Sequence, residues 1–159
     1  MWSSAASSPA AEALGAIDPE AYRSFNLVVG DNKNVFHVAN RARADRIAVE
    51  PFPDGLSMLT SQEINDRRNA RIDGFLSEFE KATPPDPDTE DWTAWRAILA
   101  DGRTDASVGP SSAMCIASDW GFGTVSSTLL ALPAPGAENP SGIYLFANGR
   151  PDQTKYEPV

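Results

Sequence analysis

The helical segments of this chain lie together in its middle, with strand-like runs on either side, and that order constrains the fold more than any other feature. Residues 25–29 read FNLVV and residues 35–39 read VFHVA. Both are rich in β-branched and aromatic residues. Gly30, Asp31 and Asn32 supply turn formers between them, so a hairpin is predicted. Residues 47–49 form a candidate third strand, stopped by Pro51 and Pro53, and residues 55–59 (GLSML) a fourth. The period then changes. Ile72, Phe75, Leu76 and Phe79 recur at helical spacing, which predicts one buried stripe on a helix over 67–81, capped by Asn65 or Asp66. An acidic, proline-rich linker at 83–88 leads to a second helix over 92–100, capped by Asp88 or Thr89. There Trp92, Trp95, Ile98 and Leu99 share a face, and Asp101-Gly102 ends it. Residues 113–117, 125–132 and 143–146 return to strand character, and the glycine-marked turn 119–124 joins the first two. Helices that do not alternate with strands exclude a doubly wound sheet and predict an α/β chain of the α+β kind, with mostly antiparallel strands and two central helices.

The beginning of the chain differs. Residues 1–16 are small and Ser/Ala-rich and are expected to be a flexible lead-in, with no basic or apolar stretch of a signal peptide. Asp18-Pro19-Glu20 carries the signature of a short helix start ending near Arg23. The remainder, 17–159, is read as one domain, as the length of 159 residues suggests.

A net charge of −9 argues against nucleic acid and against an anionic membrane surface as partners. A single cysteine excludes an internal disulfide, and one His with one Cys excludes the usual four-ligand zinc site. No apolar run approaches the ~20 residues of a bilayer span. The default expectation is a soluble cytoplasmic protein.

The chemistry-bearing residues each have a plain structural alternative. Cys115, between Met114 and Ile116, reads as a small buried hydrophobe. His37 alternates to the face opposite Phe36 and Val38 and reads as an exposed or satisfied strand histidine. The turn around Gly123 and Thr124, with Ser126 and Ser127 beyond it, offers backbone N–H groups to an anion or oxyanion. A plain hairpin needs the same glycines for positive φ. Asn65, Asp66 and Arg71 form a polar set best explained by helix capping and surface charge. Trp92 and Trp95 are spaced as core.

Residues 22–31 (YRSFNLVVGD) resemble the Y-x-x-F-N-L-x-x-x-D segment of the NRDE family, the transport-and-Golgi-organisation type. Residues 35–40 resemble its following strand, which ends in Asn, here Asn40. Gly55-Leu56-Ser57 resembles its G-L-S-N segment. Residues 111–116 with 121–128 resemble its V-C-V…Y-G-T-R-S-S-T hairpin. The matches occur in family order and together cover about 20–159. The resemblance implies a four-layer αββα sandwich like that of N-terminal-nucleophile hydrolases, in which an N-terminal Cys serves as nucleophile with its own α-amine as base. The family's N-terminal part is defined by an initial Met-Cys and by Asn-Arg-Asp-Glu; this sequence begins Met1-Trp2, and Asn-Arg-Asp-Glu does not occur in it. The run from Asn40 to Arg43 follows the second matched strand and is not that motif. Two positions depart from the pattern: Met58 stands for the Asn after G-L-S, and Val125 for the Arg after G-T.

The implied site is therefore lined by Asn40, Asn65, Asp66, Arg71, Gly123, Thr124, Ser126 and Ser127, with no catalytic residue of its own and an unknown small-molecule ligand. The expected function is an amide-bond hydrolase-type domain, catalytically incomplete. The family's links to haem handling and secretory organisation imply an alternative carrier role, with His37 or Cys115 as the only evident axial haem ligands. Otherwise no cofactor is expected. A purely structural domain is the third possibility. An incomplete sandwich would be completed by an N-terminal segment or by self-association.

Overall fold

The computed structural model describes residues 9–137 and 141–159. It shows an α+β fold with, among the described residues, three α-helices and two three-stranded antiparallel sheets. The first sheet has the order β1-β2-β3, from Phe25–Gly30, Val35–Asn40 and Ala48–Pro51. The hairpin is where the apolar runs put it, with Phe25 opposite Asn40 and Gly30 opposite Val35. Asp31 accepts from the backbone N–H groups of Lys33 and Asn34, which closes the turn.

β2 is central and buried on both faces. On one face, Phe36 and Val38 pack with Ile47 and with Ala11 of helix α1, Pro9–Gly15. Leu14, Ile17, Phe25, Val29 and Val49 close around this small core. Residues 9–15 are thus a docked helix and not a flexible lead-in: proline opens the helix and a fully buried Ala11 anchors it. Residues 1–8 lie outside the described residues. A Cβ at Gly15 would stand 2.9 Å from the Val49 side chain, so the glycine lets α1 lie against β3. The predicted start at Asp18 is present as a 3₁₀ turn over Pro19–Ala21, with the Asp18 carboxylate accepting from Glu20 N–H.

Helix α2 spans Ala70–Lys81 and buries the predicted stripe Ile72, Phe75, Leu76 and Phe79. Its cap is Asn69 and not Asn65 or Asp66: the Asn69 side chain accepts from the N–H groups of Arg71 and Ile72. Its packing partners include helix α3, Thr93–Leu99, where Phe79 meets Trp95 edge to face at 5.2 Å, and the 3₁₀ turn Pro110–Ser112. Asp91 accepts from Thr93 N–H at the start of α3, whereas Asp88 and Thr89 are held in a tight turn by Asp86.

The second sheet is β4-β5-β6, from Ser127–Ala131, Ile143–Ala147 and Glu157–Pro158. Two predicted strands are absent. Residues 55–59 form a loop, and so do residues 113–117, whose Cys115 N–H donates to Asp101 O and whose Ile116 is paired by Thr124. Local side-chain hydrogen bonds replace the expected ladder at both places.

The molecule exposes 10868 Å², where a compact 17.0 kDa monomer is expected to expose roughly 7,700 Å². Leu27 and Val28 on β1 and Leu130 on β4 are exposed. Both strands are outermost in the strand order of their sheets.

Candidate functional site

The richest polar arrangement lies on the face of the first sheet opposite α1. Asn26 and His37 are polar residues within apolar strands, placed on neighbouring strands of one hairpin. His37 is buried, and its Nε2 lies 3.0 Å from Asn26 Oδ1. The Asn26 amide nitrogen donates to Thr60 O and Gln62 O, at 2.9 and 3.0 Å, so its oxygen must face the ring. This assigns the proton of neutral His37 to Nε2. Burial, reinforced by the Arg41 guanidinium nearby, pushes the imidazole below its ordinary value. The same Asn26 oxygen accepts from Arg41 at 2.7 Å, and Arg41 grips Glu63 in a two-pronged pair at 2.7 and 2.8 Å. The Arg41 bond holds the Glu63 carboxyl below the usual range. The chain His37–Asn26–Arg41–Glu63 thus ties β1, β2 and the 60–63 loop together. Asn26, Arg41, Thr60 and Glu63 were not among the residues singled out from sequence, although an Asn and a His inside apolar strands were the available signal.

The hydrogen bonds distribute the predicted site residues into separate sets. Asn40 is buried, and its amide nitrogen donates to the carbonyls of Pro19, Tyr22 and Arg23 at 3.0–3.3 Å. Asn65 has φ +56° and staples its own loop, accepting from Met58 N–H at 2.7 Å and donating to Ser57 Oγ. Asp66 pairs with Arg68, and that bond lowers its pKa. Arg71 donates to Ser111 O at 3.3 Å, and burial lowers its pKa. Thr124 bonds Ile116 through both its N–H and its hydroxyl. A Cβ at Gly123 would stand 3.0 Å from Ile116 O, so this glycine is a close approach, and the positive φ of the turn belongs to Gly121. Ser127 shares a 2.6 Å hydrogen bond with Tyr156, and Ser126 is exposed.

Cys115 is buried, and its thiol lies 3.3 Å from Asp152 Oδ1, which Arg150 also holds. Burial and the Asp152 carboxylate push the thiol up, so it is protonated at neutral pH. Nε2 of His37 is committed to Asn26, and the Cys115 thiol to Asp152. Among the described residues no group of three or more His, Cys, Asp or Glu is placed to hold a metal ion. No described helix is long and apolar enough to cross a membrane.

Comparison with protein-family models, with curated proteins and with solved structures finds no match.

Proposed function

We propose that this chain is the C-terminal part of an NRDE-type domain resembling the N-terminal-nucleophile hydrolases, of amide-bond hydrolase type, and that its own residues carry no hydrolysis. The family part of this reading rests on the ordered sequence matches, and the lack of hydrolysis is supported most by the state of the one thiol. Cys115 is buried, bonded to a carboxylate rather than to a base, and raised in pKa. A thiol in that setting lacks the thiolate character and the partner that a nucleophile needs. His37, the one imidazole, is committed to Asn26 and has no hydrogen bond to a nucleophile among the described residues. The exposed apolar outer strands support the reading of an incomplete sandwich. The test is turnover of a panel of simple amides by the chain and by Cys115→Ala. No turnover by either protein is expected. Thiol-dependent turnover that Cys115→Ala abolishes would overturn the proposal.

A further inference from the structure

β4 is the outermost strand of the second sheet. The N–H of Val159 donates to Tyr144 O, so Tyr144 turns its backbone polar groups toward β6 and Leu145 turns its own toward β4. Leu129 stands opposite Leu145 and is therefore bonded inward, to β5. Alternation then points the N–H and C=O of Thr128 and Leu130 out to the open edge, where no described residue pairs with them. Unpaired edge groups of this kind are a template for another strand. The side chains add to it: Leu130 is 59% exposed and Leu132 50%, whereas Leu129 is buried. Residues 120–132 carry no charge and no proline, in a chain of net charge −9.

The chemistry of this edge selects its partner. A charged strand would find no complement on it and would lose its own hydration. A second copy of the same strand matches it. Centred on Leu129, the run 126–132 pairs with itself antiparallel: Thr128 lies opposite Leu130 of the other copy, Ser127 opposite Ala131 and Ser126 opposite Leu132. In this register the outward groups of Thr128 and Leu130 meet each other, and the two Leu129 side chains meet on the buried face. Two copies of so acidic a chain can approach here without juxtaposed like charges. Asp88 and Glu90 line a cavity with Leu132, at the end of the run that meets the uncharged Ser126 of the other copy. The surface to be covered suffices. The exposed area exceeds the compact-monomer value by roughly 3,000 Å², and each partner of a standard interface buries about 800 Å². β1, an outermost strand of the first sheet, is less suited: Asn26 interrupts it, with its side chain held by the loop at 60–62, and it ends in Gly30. We infer that the open edge of β4 docks β4 of a second copy, joining two three-stranded sheets into one of six strands. This pairing uses the β4 edge alone and holds whether or not the family reading does.

Sedimentation equilibrium of the full chain and its edge variants tests this. A monomer–dimer equilibrium is expected for the unaltered chain. Leu130→Pro removes an N–H that points out of the sheet and leaves the β4–β5 ladder intact. It should raise the dimer dissociation constant at least about tenfold, with the fold retained by circular dichroism. If Leu130→Pro does not fold, Leu130→Asp makes the same comparison by placing a charge on the edge. Val28→Asp, the matching change on β1, should leave the dimer as it is. In a Cys115→Ala background, Thr128→Cys together with Leu130→Cys should cross-link two copies on oxidation, because opposed hydrogen-bonded strand residues stand about 5.5 Å apart between Cα atoms, within disulfide reach. A dimer that Val28→Asp dissociates and the Leu130 variants do not would place the interface on β1 and overturn the inference. A chain that stays monomeric until the N-terminal segment of an NRDE-type protein is added would assign the edge to that segment, which overturns the inference and leaves the family reading standing. A monomer with and without that segment also overturns it.

Discussion

His37 sits on a buried strand with its Nε2–H given to Asn26, and its neutral form is the one the fold accepts. Burial and Arg41 lower its folded pKa, whereas in the unfolded chain it titrates near ~6.5. The unfolded state therefore takes up the proton first as pH falls. The stability held with neutral His37 is full above about 6.5 and is lost as pH drops toward the lowered folded value. Urea midpoints at about pH 7.5 and 5.5 should show this loss, and His37→Gln should flatten it. A midpoint that rises on acidification would contradict the burial of a neutral ring. Cys115 makes a second residue-scale prediction. Its thiol should resist a maleimide in the folded protein and react readily in denaturant, because burial and Asp152 keep it protonated. Rapid native labelling would show that Cys115 is not enclosed. Its reading as a small buried group was available from its neighbours Met114 and Ile116. Its partner Asp152 was not, because that contact joins residues 37 positions apart.

At the scale of elements, α2 was legible because four apolar residues at helical spacing admit one buried face. Phe79 has Trp95 against its ring, so Phe79→Ala should cost about 3–5 kcal/mol. Asn69→Ala should cost about 1 kcal/mol through the lost cap. Chemical denaturation measures both, and a loss below about 1 kcal/mol for Phe79→Ala would mean that the stripe is not a core face. The hairpin of β1 and β2 was legible for a comparable reason: apolar runs flank a turn-rich loop. Residues 113–117 misled, since MCI has strand composition, yet the Thr124 hydroxyl takes the Ile116 N–H that a neighbouring strand would have taken. The same competition explains 55–59, where Asn65 takes the Met58 N–H. The cap of α2 moved because Asn69 lies one residue ahead of the helix, while Asn65 and Asp66 serve the preceding loop. Of the candidate site, the sequence singled out only His37. It could not show that Thr60 and Glu63 close around Asn26 and Arg41, because that depends on how a long loop returns over the first sheet.

The whole molecule leaves apolar surface and strand edges uncovered. Leu27 and Val28 on β1 and Leu130 on β4 are exposed, and the middles of these strands carry no charge or proline to discourage pairing. The exposed area exceeds the compact-monomer value by about two-fifths. In the proposed reading, these edges are where further strands complete the sandwich. Sedimentation velocity over a range of concentrations, paired with thermal unfolding of the same samples, tests that claim most directly. Concentration-dependent association with a broad, weakly cooperative transition is predicted, along with sharper melting when the N-terminal segment of an NRDE-type protein is added in trans. A monomer at every concentration that melts sharply on its own would contradict it.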